Sequence, residues 1–427
     1  MALDRKVAPP ARPIRHVDFL EAETTLLSNG IPVHMIRSGK QAVVGLELVF
    51  RHGGIRHGNK NGVAFFTFKM LAEGTQQKDS DTISNEIDKY GAFLQLSPGL
   101  DYSSVDLYML SRYADPLLAT LRELITESTF PAGELRKLKK IQQQHLRVNN
   151  KKSSVLASKT FKATLFGEQH PYGASLTEEA ITAIEQEDLR TFFQHHLKNK
   201  LEIIVSGDVS TEVLEAIESH FGDLPIVEAY PTEDKLPPTA LSMDKRVIVE
   251  RSDNLQSSIR MGRPLFTKAH SDYHKMQVLN TILGGYFGSR LMRNIREDKG
   301  LTYGISSGLV SLCDAGYFVI GTEVKKENTA HVFEEIYKEM AYLREVPLGD
   351  TELNTVKNYM AGRLLSSVDT PFALAEKFKN IHLYGLTYNF YKNHLNTINT
   401  IDAASLQEMA QKYLTEENMR EVVVGAY

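Results

Sequence analysis

A chain of 427 residues is long enough to bury two or three separate cores, and its composition is that of an ordinary globular protein rather than a fibrous or low-complexity one. With 49 Lys+Arg against 53 Asp+Glu, the net charge of −4 excludes the basic footprint of a nucleic-acid or anionic-membrane binder. The single cysteine, Cys313, excludes an internal disulfide framework, no stretch has the length of a membrane span, and the opening MALDRKVAPPARPIRHVDF lacks an apolar signal core. A cytoplasmic protein is the expectation, or a periplasmic one if a leader has been removed.

Residues 1–25, rich in proline and basic groups, read as an extended arm. Ile31 to Met35 and Val43 to Phe50 then read as strands, the second alternating through Val44, Leu46, Leu48 and Phe50. Helical patterns follow at Gly62 to Leu71 and at Asp81 to Tyr90, closed near Gly74 and at Gly91. Strands are predicted at Ala92 to Leu96 and Tyr102 to Leu110, and long helices at Ala114 to Glu127 and from Pro131 to about Leu146. A short helical stretch around Phe161, a helix from Glu187 to Leu197 and a strand from Leu201 to Gly207 close the half.

The second half repeats this order. Gly91 falls on Gly300, Phe130-Pro131 on Val346-Pro347, the apolar set Ile184, Leu189 and Leu197 on Ile401, Leu406 and Leu414, and Gly207 on Gly425. Matches that keep their order over half the chain indicate duplication of one domain. Pro225, Pro231, Pro237 and Pro238 among acidic residues mark a linker, giving domains at 26–223 and 245–427 around a linker at 224–244. Neither half has a regular βαβα alternation, so the fold class is α+β: two homologous domains, each a mainly antiparallel sheet packed with helices.

The most informative stretch is LGGYFGSRLMRNIREDKGLTY, Leu283 to Tyr303. Gly284 and Gly285 are expected to end one helix through the positive φ of a C-cap, and Ser289 to cap a short helix that Gly300 stops. Arg296 then lies near a helix end and Tyr303 just beyond the turn, where a guanidinium and a phenol could together grip a carbonyl oxygen. Taken alone, Arg296 would be a solvated helix charge and Tyr303 a core aromatic.

The segment Asn61 to Thr75, NGVAFFTFKMLAEGT, resembles the zinc-site helix of the insulinase/pitrilysin-like peptidases through Gly62, Ala64, Met70, Gly74 and Thr75. In that family these positions flank an inverted H-x-x-E-H. Here Phe65 and Lys69 stand at the two histidine positions and Phe68 at the glutamate position, while the stretch expected to hold the third ligand reads Gln142-Gln143-Gln144-His145. Zinc needs about three ligands with available lone pairs, so the resemblance implies a degenerate site with no metal in this chain. Ser289-Arg290-Leu291, Ile295-Arg296-Glu297 and Gly300-Leu301-Thr302-Tyr303 resemble the family's second stretch, whose Arg and Tyr hold the scissile carbonyl. The resemblance therefore implies the zinc-free subunit of a two-chain metallopeptidase, with Arg296 and Tyr303 as its catalytic contribution. It also implies a homologous zinc-bearing partner carrying Zn2+ and a peptide substrate; the charge balance adds no nucleic-acid or membrane partner. The rival reading is a non-catalytic scaffold or peptide-binding subunit.

His270 and His274 form the remaining H-x-x-x-H, which a helix would place on one face, but a third ligand is missing from the pattern. His52, His57 and His195-His196 have no ligand spacing and read as surface or loop groups, and Gly284-Gly285-Tyr286-Phe287-Gly288 does not spell a phosphate loop. The charged helix from Pro131 reads as a solvated face, and Cys313 as a packed or partly exposed thiol.

Overall fold

Strand alternation over Val43 to Phe50 makes one face of a sheet from Leu46 and Leu48 and the other from Glu47 and Val49, and the whole first half is built on this strand. The computed structural model describes residues 14–39, 41–197, 201–225, 236–251 and 254–427; residues 1–13 of the expected arm and 226–235 of the expected linker lie outside them. The first half contributes β1 (Glu23–Leu26), β2 (Pro32–Arg37), β3 (Val43–Phe50), β4 (Phe93–Ser97), β5 (Ser103–Leu110) and β6 (Leu201–Gly207), in the order β1-β2-β6-β3-β5-β4. The second contributes β7 (Arg246–Glu250), β8 (Gln256–Leu265), β9 (Thr302–Ser311), β10 (Gly316–Lys325) and β11 (Arg420–Gly425), in the order β7-β11-β8-β10-β9.

The two sheets are wired alike. The parallel pairs β2/β6 and β7/β11 correspond, and the remaining neighbours run antiparallel. Gly91 and Gly300, which enter the corresponding edge strands β4 and β9, have φ of 61° and 62°. Such left-handed turns favour glycine, which is why these positions kept it in both copies. The α+β duplicated fold is thus present.

Helices of the first half are α1 (Val63–Met70), α2 (Ser80–Lys89), α3 (Ala114–Glu127), α4 (Ala132–Asn150), α5 (Ser153–Phe166), α6 (Glu178–Ala183), α7 (Gln186–His196) and α8 (Thr211–Phe221). Those of the second are α9 (Tyr273–Asn280), α10 (Thr329–Glu345), α11 (Asp350–Ser366), α12 (Pro371–His382), α13 (Asn389–Thr400) and α14 (Ala403–Tyr413). The stretch around Phe161 is thus a full helix of 14 residues, and β1, α6 and α8 are elements beyond those expected. Among the described residues no helix is long and apolar enough to cross a membrane.

Each half covers only one face of its own sheet. On the other face, Ile36, Val49 and Ile204 of the first sheet pack against Leu374, Ala375 and Phe378 of α12. In return Val422 and Val424 of the second sheet pack against Ala157, Phe161 and Leu165 of α5. The halves are therefore interlocked by exchanged helices. Residues from Ile14 to Phe19 also reach across, packing Val17 into the second core. Removing a buried phenyl from either exchanged helix, Phe161→Ala or Phe378→Ala, should lower stability by about 3–5 kcal/mol. Urea denaturation should stay a single transition in both variants, and two separated transitions would contradict the interlock.

Candidate functional site

Helix α1 carries the three positions at which the resemblance placed zinc chemistry. Phe68 is fully buried and meets Phe50 edge-on at 5.5 Å, while Phe65 meets Phe66 at 5.4 Å. The Lys69 ammonium donates to the carbonyl of Leu96 in edge strand β4 at 2.7 Å, and burial lowers its pKa. On α4, Gln142 to His145 offer no carboxylate. Two phenyl rings and a hydrogen-bonded cation supply no metal lone pair, so these residues do not fit a catalytic zinc. They fit a packed helix that props an edge strand.

The stretch from Leu283 to Tyr303 departs from its expected local form in three ways. First, Thr281–Gly285 and Met292–Asp298 are π-helical turns, a form concentrated at functional sites. Second, Gly284 and Gly285 do not adopt positive φ; a Cβ on Gly284 would lie 2.7 Å from the Ser307 nitrogen, so close approach to β9 is what demands glycine. Third, the buried Ser289 hydroxyl makes no capping bond, and its backbone carbonyl accepts from Arg293 instead.

Anchors on α10 and α11 hold this segment. Arg290 makes a bidentate pair with Glu352 at 2.9 Å on both arms. Asn294 and Lys299 both bond Glu335, at 3.1 and 2.8 Å. Burial pushes the Glu335 carboxyl up, but bonds from Lys299, Lys338 and Asn294 outweigh it and bring the pKa down to about 2. Arg296 has no such anchor: among the described residues it forms no ion pair, and its guanidinium lies 4.7 Å from the centre of the exposed Phe287 ring.

Tyr303 sits on a β-bulge, which no local sequence pattern announces. Thr302 pairs with Val324 and Ile305 with Thr322, so Tyr303 and Gly304 together oppose Glu323. The Thr302 hydroxyl donates to the Glu323 carbonyl at 2.8 Å and accepts from Gly304 N–H at 3.1 Å, and the buried Thr322 hydroxyl donates to the Gly304 carbonyl at 2.9 Å. Bulges re-aim side chains at sheet edges. Tyr303 is consequently 93% exposed, which excludes a core role for its ring. Among the described residues no hydrogen bond joins it to Arg296. It lines a cleft of about 770 Å3 between the halves, with Lys151, Ser154, Gln256, Glu323 and Lys325. An adjoining hollow of about 430 Å3 lies over Gly304, Ser306, Gly308 and Gly321, a floor of small residues beside the free edge of β9.

The histidines are arranged differently from the sequence reading. His270 precedes α9 and stacks on Phe266 at 4.2 Å, whereas His274 faces His394 and Phe390, so the H-x-x-x-H pair shares no face and, among the described residues, meets no third ligand. His52 in a turn, His57 in a short 3-10 turn and His196 at the end of α7 come together, with ring centres 5.3 and 6.4 Å apart in sequence order. Cys313 is half-buried; burial and the neighbouring Asp101 push its thiol up to about 12.

The family described as insulinase (peptidase family M16) matches residues 33–178, and that described as peptidase M16 inactive domain matches residues 183–360. A Bacillus subtilis protein called uncharacterized zinc protease YmxG is 24% identical over 84% of this chain and 87% of its own length. A Helicobacter pylori protein called non-peptidase homolog YmxG is 26% identical over 87% of this chain and 86% of its own. Among solved structures, a Pseudomonas fluorescens peptidase M16 inactive domain superposes with a TM-score of 0.85 at 25% identity, covering 96% of this chain and 99% of the other.

Burial pushes His274 down to about 4 and His394 to about 3, the latter also through His274 and Lys377. Both imidazoles are therefore neutral in the fold while the unfolded chain protonates below about pH 6.5. Their contribution is full above that pH and is lost progressively as pH falls towards 4 and 3. The urea midpoint should drop between pH 7 and pH 5, and His394→Gln should flatten the slope.

Proposed function

Because the chain belongs to the insulinase (M16) family and lacks the residues for a catalytic zinc of its own, we propose that it is the zinc-free subunit of a two-chain metallopeptidase. A homologous partner would supply the metal and the sheet edge on which a peptide lies as an added strand, its backbone satisfied by main-chain hydrogen bonds. Arg296 and Tyr303 would complete the site across the interface as donors to the scissile carbonyl oxygen. The observation that carries this reading is Tyr303 itself, an almost fully exposed phenol held out of the sheet by a bulge that two threonine hydroxyls fix. A solvent-exposed aromatic on an edge strand has no stabilising work to do in the isolated chain. Arg296, lying on an exposed ring instead of in an ion pair, is similarly uncommitted.

Donors already aimed at a developing oxyanion need no reorganisation as charge builds. Around Arg296 the neighbours Arg290, Asn294 and Lys299 hold the segment in place. The second reading, a non-catalytic scaffold, is favoured by the relative named a non-peptidase homolog. The variants Tyr303→Phe and Arg296→Ala in the reconstituted complex separate the two. Each should lower kcat by about 100- to 1000-fold with complex formation intact. Full activity in both variants would remove their proposed role.

A further inference from the structure

A second cluster of metal-ligating side chains lies on the opposite face of the first sheet from α1. Alternation along β2 sends Val33 and Met35 into the core that α1 shares, and sends His34 and Ile36 to the face that α12 covers. Glu202 of β6 is beside His34 on that face, and α12 ends with His382 above both. The Glu202 carboxylate accepts from His382 Nε2 at 2.7 Å, and its Oε2 lies 3.6 Å from His34 Nε2, beyond hydrogen-bond reach. One ligand atom from each of the three residues lies within 4.8 Å of the others.

The telling atom is His34 Nε2. His34 is 4% exposed and this nitrogen has no hydrogen-bond partner, although it points into the cluster. A buried polar atom left unpaired is costly, and buried polar atoms are nearly always paired. Its other nitrogen, Nδ1, is 2.8 Å from the Thr24 hydroxyl. With Nδ1 protonated towards Thr24, Nε2 presents a lone pair inward. That is the outer support usual for a metal-bound imidazole. Glu202 is oriented by Arg51, whose Nε pairs with Oε1 and whose Nη2 donates to Oε2 at 3.2 Å; Oε2, which also accepts from His382, is the oxygen that faces both imidazoles.

We propose that His34, Glu202 and His382 hold one divalent transition-metal ion, zinc by ligand preference, which fastens α12 of the second half to the sheet of the first. Two imidazoles and one carboxylate are a recognised zinc set, with water at the fourth position. Tetrahedral binding at roughly 2.0–2.2 Å places ligand atoms about 3.3–3.5 Å apart, so the 3.6 Å contact is near that spacing and His382 need only draw back slightly. On binding, His382 shifts to the tautomer protonated at Nδ1: its Nε2 proton passes to solvent, Nδ1 takes one in return, and Nε2 then offers a neutral lone pair. The role is structural: the ion joins the halves where Lys379, one turn earlier on α12, already pairs with buried Glu47 at 2.7 Å.

The test is zinc titration of the chelator-treated full chain, with Co2+ as a spectroscopic substitute. One equivalent of zinc should bind and raise the melting temperature, and Co2+ should give the visible bands of a four-coordinate nitrogen/oxygen site. His382→Ala, at a partly exposed helix end, and His34→Gln should each weaken binding by more than about 100-fold, while Thr24→Val should weaken it by about 10-fold. Absence of stoichiometric binding by the wild-type chain, or binding unchanged in His382→Ala, would overturn the proposal. Because His382→Ala leaves the sheet untouched, the test does not depend on His34→Gln folding.

Discussion

Everything else in this structure rests on the reciprocal loan of one helix. Each sheet needs cover on both faces, and each half supplies enough helices for only one of them. Ile36, Val49 and Ile204 would face water without α12, as would Val422 and Val424 without α5. Burying a side chain of this size contributes about 1.5–3 kcal/mol, so the exchange is worth far more than any single ion pair across the halves. It also fixes the position of edge strand β9 against the first half, and with it the cleft that Tyr303 lines.

Within that frame the two copies have diverged in opposite directions. In the first, helix α1 is given over to packing: Phe68 fills space against Phe50 and Gly53, and Lys69 satisfies a carbonyl of the edge strand. An ionised glutamate in the place of Phe68 would be a buried charge without a metal to balance it. The second copy keeps its polar groups working. Glu335 and Glu352 hold the π-helical segment by three side chains, and two threonines hold the bulge. Such strained or irregular forms persist only where the surroundings over-determine them.

Much of the fold was legible in the sequence because its signals are local. The spans Val43 to Phe50, Ala114 to Glu127 and Leu201 to Gly207 are found as read, each having a strong periodic or continuous apolar pattern. Helix α8 carried a readable cap in Ser210 and an apolar stripe through Val213, Ala216 and Ile217, so its omission was avoidable. Strand β1 was not readable, since all four of its residues are exposed and pairing with β2 alone defines it. The π-turns, the bulge and the His34, Glu202 and His382 cluster depend on contacts between distant segments, which no local pattern encodes. The positive φ expected at Gly284 failed for the same reason: a neighbouring strand, rather than the turn, requires glycine there.

The proposed role requires that this chain complete a site it does not form alone. Cleavage of a quenched peptide mixture, measured for this chain by itself and after mixing with a homologous chain carrying an intact H-x-x-E-H, addresses it directly. The expected result is no hydrolysis by the chain alone and cleavage on mixing that exceeds the partner's own. Hydrolysis by the isolated chain would contradict the reading of Phe65, Phe68 and Lys69, and a mixture no more active than the partner alone would contradict the shared site.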